Sequence, residues 1–192
     1  KLMGRVLKAL QDKVEFGVAE LAGGSKHNAI TRNCDATIVL NAADVDTAKE
    51  IVASIEAELK SEYRVADPDL FVSFEAGETA SKEVMDPTSQ TKTIFLLREV
   101  PFGVMAMSTD IEGLVETSCN LGIVLLKEDV LEMCLSMRSC VATRKYEVLD
   151  RIAFLGEMVG ATVEKTDDYP AWEFNPNSVV REKIAGVYRD LF

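Results

Sequence analysis

The chain has 192 residues, 47% hydrophobic and 28% charged, a composition that can bury a core and that excludes a disordered segment. Its formal charge of −11 excludes the clustered lysine and arginine of a phosphate-binding surface, so neither nucleic acid nor an anionic membrane is expected as a partner. No apolar run approaches the roughly 20 residues of a membrane helix and no signal peptide opens the chain, which sets the expectation of a cytoplasmic protein.

The chain opens on Lys1 and enters a helical stripe of Leu2, Val6, Leu7 and Leu10 at once, as a piece cut from a longer protein would. Residues 14–21 alternate as a strand with Val14, Phe16 and Val18 on one face. A polar loop follows from Gly23 to Asn28, and β-branched residues resume an extended pattern over 36–40. Asp44 is expected to cap a helix in which Val45, Ala48, Val52, Ile55 and Leu59 recur at steps of three and four. Residues 70–74 read as a short strand, and the polar stretch 75–92, with Gly77 and Pro87, reads as a linker or long loop.

A second series then starts. A helix over 93–100 is stopped by Pro101 and Gly103, and 104–108 is a short strand in which Met105 and Met107 are expected to fill the core. Residues 114–126 form a long strand with Cys119, Leu121, Ile123 and Leu125 on one face and Glu116, Ser118 and Asn120 on the other. Its hairpin partner is 131–141, across Lys127-Glu128-Asp129. Val148, Ile152, Leu155 and Val159 mark a helix closed by Gly160, and 161–165 is a last strand. Asn175-Pro176 is expected to cap a final helix whose face of Val180, Ile184, Val187 and Leu191 finds its partner in sequence outside the chain.

These elements predict an α+β fold, an antiparallel sheet with helices on one face, built from two tandem similar halves. The first half is 1–76, the linker 77–92 and the second half 93–167. The four cysteines, Cys34, Cys119, Cys134 and Cys140, make no C-x-x-C pair and read as a reduced, half-buried set. With His27 as the sole histidine, the chain lacks the donors of a zinc site.

Four segments carry a family resemblance. Gly23-Gly24-Ser25-Lys26-His27-Asn28-Ala29-Ile30-Thr31-Arg32 resembles the G-G-x-x-x-N-A-I-P-R segment of bacterial aminoacyl-histidine dipeptidases. The run from Ser108 through Glu116 to Gly122 is similar to that family's next long strand, and Met137-Arg138-Ser139-Cys140-Val141 to its V-R-S-S-V strand. Tyr169-Pro170-Ala171-Trp172, with the Leu191-Phe192 ending, resembles the point where the family's chain re-enters its catalytic domain. The pattern departs at Thr31, usually Pro, and at Asn33, commonly acidic, changes that bear on the loop's rigidity.

The resemblance implies the lid of a cytosolic di-zinc Xaa-His dipeptidase, with 168–192 the return into a catalytic domain lying outside the chain. Zinc is implied for the complete enzyme and not for residues of this chain; the implied partners are a peptide substrate, the catalytic domain and a second subunit. It also implies a role for Asn28, whose amide would donate to the substrate carbonyl or its oxyanion; turn chemistry alone would equally suit Asn there. Arg138 can bind a terminal carboxylate bidentately or pair with an acid of the chain. Arg32 is a second cationic candidate, and His27 is either a solvated imidazole or a substrate contact. Glu116 and Asn120 are expected to be structural or interfacial. A freestanding α+β binding or dimerisation module is the competing reading.

Overall fold

The computed structural model describes residues 1–78 and 82–192. Helix α1 (Leu2–Gln11) leads through Val14 into β1 (Phe16–Gly23), which pairs antiparallel with β2 (Cys34–Leu40). Asn41 accepts from the Ala43 amide to start a short 3-10 turn (Ala42–Asp44) that runs into α2 (Val45–Tyr63). The expected cap Asp44 makes no capping bond, because this turn already occupies its backbone.

Helix α3 (Pro87–Glu99) starts six residues ahead of the expected 93. Asp86 accepts from the amides of Thr88 and Ser89 and Pro87 fills the first helical position, so the polar stretch that read as loop holds a well-formed helix start. Then come β3 (Gly103–Met107), β4 (Val115–Lys127), β5 (Val130–Ser139), α4 (Ala142–Val159) and α5 (Val179–Leu191). The β4–β5 turn puts Glu128 and Asp129 at φ 50° and 64°, the backbone of a two-residue hairpin whose twist matches its strands. Gly160, at φ 75°, closes α4 as expected.

All pairings in the sheet are antiparallel, with order β2-β1-β4-β3 and β5 on the other edge of β4. Between β1 and β4 the ladder is only two pairs long, Ala22 with Leu125 and Gly23 with Val124. Beyond these pairs, backbone groups of β1 are met by Gln90 of α3. Its amide accepts from the Val18 N–H at 2.9 Å and donates to the Phe16 carbonyl at 3.1 Å, and the Met85 amide bonds the Val18 carbonyl at 2.8 Å. Gln90 is itself buried, so a side chain stands in for a strand neighbour.

Helices α1 to α4 lie on one face, as expected for this class. Leu7, Ile94 and Leu97 pack with Val18, Leu21, Leu121 and Val124 in the main core, and Ala48 and Val52 of α2 join Val6 and Leu10 in a second. A bulge at Gly122 changes the phase of β4: Leu121 and Val124 point inward, so Ile123 and Leu125 leave the face on which simple alternation puts them. Met107, expected in the core, is 48% exposed at the sheet edge.

Two expected strands are absent as strands. In 70–74 the Val72 amide donates to the Glu56 carboxylate and Val72 and Phe74 pack on the second core, so the backbone forms no ladder. In 161–165 the Val163 side chain presses against the backbone of Gly156 in α4, where no Cβ would fit. Helix α5 begins at Val179 with Ser178 accepting from the Arg181 amide; Asn175, the expected cap, bonds the Asn177 amide in a tight turn instead. It buries no residue, and Ile184 is 65% exposed.

Candidate functional site

The residues between β1 and β2 form a loop whose backbone packs closely on that of β4. Gly24 turns the chain at φ 73°, where a Cβ would collide with the Gly122 carbonyl and lie 2.8 Å from the Thr31 hydroxyl. The reverse holds for Gly122, where a Cβ would meet the carbonyls of Lys26 and His27. This close approach of two backbones is what the paired glycines permit.

Two polar side chains complete the attachment. The Thr31 hydroxyl lies 2.9 and 3.0 Å from the carbonyls of Leu121 and Gly122. Asn120 Nδ2 donates to the His27 carbonyl at 3.2 Å and to that of Ala29 at 2.8 Å. Thr31 thus replaces the φ restraint of the family's proline with a side-chain tether to β4.

Asn28 sits between the two clamped carbonyls and is exposed, as are His27 and Arg32. Among the described residues none of these three side chains makes a hydrogen bond within the chain, so each is available to a ligand. The backbone is held and the side chains are left free, the arrangement a contact loop requires.

Arg138 lies on β5 opposite Ser118 of β4, and Ser136 lies opposite Asn120. Paired residues of an antiparallel ladder project to the same face. Thr117, Cys119 and Leu121 point to the helices, so Arg138 and Asn120 are both on the helix-free face, about 7 Å apart along the strand direction. Arg138 is exposed and forms no ion pair among the described residues. The structure therefore brings the Asn28 loop and Arg138 to one face of the sheet; Glu116, by contrast, is engaged by Arg144 at 3.0 Å. Asn120, expected to be structural or interfacial, and Thr31, expected to bear on the loop's rigidity, fasten the loop to β4; their partners lie 90 or more positions away and could not be read from the sequence.

The chemistry available here is donation. Asn28 offers a neutral amide and Arg138 a planar cation, suited to an oxyanion and a carboxylate. Burial pushes the Cys119 thiol up to about 11 and raises that of Cys34, which disfavours the thiolate at both positions. Among the described residues no group of three or more His, Cys, Asp or Glu side chains could hold a metal ion.

Residues 1–67 match the peptidase dimerisation domain. Over all 192 residues the chain is 30% identical to the cytosol non-specific dipeptidase of Escherichia coli (strain K12), spanning 39% of that protein. The crystal structure of aminoacylhistidine dipeptidase from Vibrio alginolyticus superposes on the full chain with a TM-score of 0.92 at 29% identity, again over 39% of its own length. The match to a dimerisation domain thus covers the first 67 residues, and the chain spans about two fifths of the length of the dipeptidases it resembles. Among the described residues, no helix is long and apolar enough to cross a membrane.

Proposed function

We propose that this chain is the lid and assembly part of a cytoplasmic zinc dipeptidase that hydrolyses Xaa-His dipeptides. The two relatives differ in the breadth of their names, one non-specific and one aminoacylhistidine. Dipeptide hydrolysis is the shared part of the proposal and Xaa-His the narrower one. The observation that carries it is the free Asn28 side chain on a backbone clamped to β4, on the same face as the unpaired Arg138.

Asn28 would donate to the carbonyl oxygen as it gains charge, Arg138 would hold the substrate's terminal carboxylate, and Arg32 and His27 would add contacts at the rim. Zinc and the general base would come from a catalytic domain outside the residues described. The exposed face of α5, with Val180, Ile184 and Val187 58–68% exposed, supports a further domain covering it. The dimerisation-domain match over 1–67 supports a homodimer.

The test uses the full-length enzyme on one Xaa-His dipeptide, with zinc quantified in every preparation. Asn28→Ala is expected to lower kcat roughly 100- to 1000-fold, about 2.7–4 kcal/mol of transition-state stabilisation. Arg138→Ala is expected mainly to raise KM. Zinc content should stay at the wild-type level in both. Wild-type kcat in Asn28→Ala would leave the loop as ordinary turn structure.

A further inference from the structure

We infer that Asn120 is the positioning residue for Asn28, its carboxamide fixing the two peptide groups between which Asn28 is carried. The inference rests on the role proposed for Asn28 and adds a residue on a different element, 92 positions away in the chain.

The geometry assigns the amide orientation. Two carbonyl oxygens, those of His27 and Ala29, lie within 3.2 Å of one side-chain atom of Asn120, and a carbonyl can only accept. The atom facing them must be the NH2 group, and both its hydrogens are used. Asn120 Oδ1 is then turned away, and it is buried with no partner. An unpartnered buried acceptor is unfavourable to folding, and its compensation is the pair of bonds to the loop. Only a short side chain with two donors satisfies this position: Ser has one hydrogen, Asp none, and Gln is a methylene too long for strand and loop as they lie.

The consequence falls on Asn28 alone among the candidates. The His27 carbonyl belongs to the peptide group before Asn28 and the Ala29 carbonyl to the one after Ala29, so the two bonds bracket Asn28 and Ala29 and together restrain the dihedrals that set the direction of the Asn28 Cα–Cβ bond. Thr31 ties down the far end of the loop and Gly24 the near end, but neither spans Asn28. Displacing a catalytic donor by about 1 Å costs on the order of 100-fold in rate.

The experiment compares Asn120→Asp, Asn28→Ala and the double variant in the full-length enzyme, with Asn120→Ala as a second variant in case the carboxylate prevents folding. Melting temperature and zinc content are measured for each. Asn120→Asp is expected to lower kcat roughly 10- to 100-fold with KM within about threefold of wild type. The double variant should be no slower than Asn28→Ala, because positioning is worth nothing once the positioned amide is gone. Wild-type kcat in folded Asn120→Asp and Asn120→Ala, with Asn28→Ala impaired, would overturn the positioning role and leave that of Asn28 standing. A double variant slower than Asn28→Ala by the full Asn120 factor would also overturn it, since the two residues would then act independently. Wild-type kcat in Asn28→Ala would instead remove the reading on which the inference rests.

Discussion

Gln90 tests how the backbone groups of β1 that have no strand partner are satisfied, and it does so without any assumption about activity. Replacing it by Leu keeps most of the volume but removes the acceptor for the Val18 N–H and the donor to the Phe16 carbonyl. Val18 is fully buried, so its amide has no route to water, whereas Phe16 is only half-buried. Each unsatisfied group costs about 1–3 kcal/mol, with the amide at the high end and the carbonyl at the low end. Burying a Leu side chain in place of the carboxamide returns about 1.5–3 kcal/mol. The net expectation is a loss of about 2 kcal/mol, a fall in Tm of roughly 4–8 °C for a chain of this size. Urea denaturation followed by far-UV circular dichroism is the assay, since Trp172 is 89% exposed and its emission would report little of the core. Gln90→Glu sharpens the test. A carboxylate would still accept from Val18 but would face the Phe16 carbonyl, and burial would hold its folded pKa above the unfolded value of about 4.3. Its stability relative to wild type should therefore be highest below that pH and be lost as pH rises through the folded value. Gln90→Leu within about 0.5 kcal/mol of wild type, together with a pH-independent Gln90→Glu difference, would refute the bridging role.

Two further outcomes follow from the same geometry. In Gly122→Ala the new Cβ would lie 2.6 Å from the Lys26 carbonyl and closer still to that of His27, so the loop must withdraw by more than the 0.4 Å that would bring Lys26 to the 3.0 Å real contacts keep; kcat of the full-length enzyme should fall roughly tenfold, and an unchanged kcat would mean that the loop yields without moving Asn28. Lys145, buried, donates to Asp168 and to the Tyr169 carbonyl at 2.6 Å each, which raises the lysine pKa and lowers that of the carboxylate through their mutual hydrogen bond. The depressed Asp168 contributes above its unfolded pKa near 3.9 and fails as pH falls through its folded value; the raised Lys145 contributes below its unfolded pKa near 10.4 and fails as pH rises through its own. Fluorescence anisotropy of Trp172, the single tryptophan, should thus be flat between about pH 4 and 10 and drop outside that window, and Lys145→Met should lower it throughout. Equal anisotropy in wild type and Lys145→Met at neutral pH would show that the tether does not order this segment.

Which elements could be read from sequence follows from what holds them. Helices α1, α2 and α4 were legible because each buries a stripe at three-and-four spacing, and the β4–β5 hairpin because both strands alternate around a polar turn. Residues 70–74 and 161–165 carry the same alternation, but their apolar side chains pack on helices and, in 70–74, the Val72 amide goes to the side chain of Glu56. Alternation reports burial of one face and is silent on what the backbone bonds to. The Gly122 bulge is invisible for a related reason, since the apolar run Leu121 to Leu126 reads equally well in either phase. The start of α3 was present as Asp86-Pro87, yet a Pro in a polar stretch carries the signal of a loop just as well. At the site, Asn28 and Arg138 came from resemblance, whereas Asn120 and Thr31 act across more than 85 residues and leave no local pattern.

The two faces of the sheet divide stability from recognition, and this bears on how substitutions should sort. Inward residues such as Val18, Leu21, Leu121 and Val124 pack with side chains of α1, α3 and α4, and truncating any of them opens a cavity. Asn28 and Arg138, exposed on the other face, bury little, and among the described residues their side chains bond nothing, so their loss should leave folding nearly untouched. Between these extremes stand the residues that fasten the loop to the sheet: Asn120, Thr31, Gly24 and Gly122. They touch backbone on one side and set the direction of Asn28 on the other, so changes there should move stability and kcat together. In an acidic chain of net charge −11, the carboxylate of a dipeptide would meet general repulsion, and on the function proposed above Arg138, which forms no ion pair among the described residues, would be its point of capture.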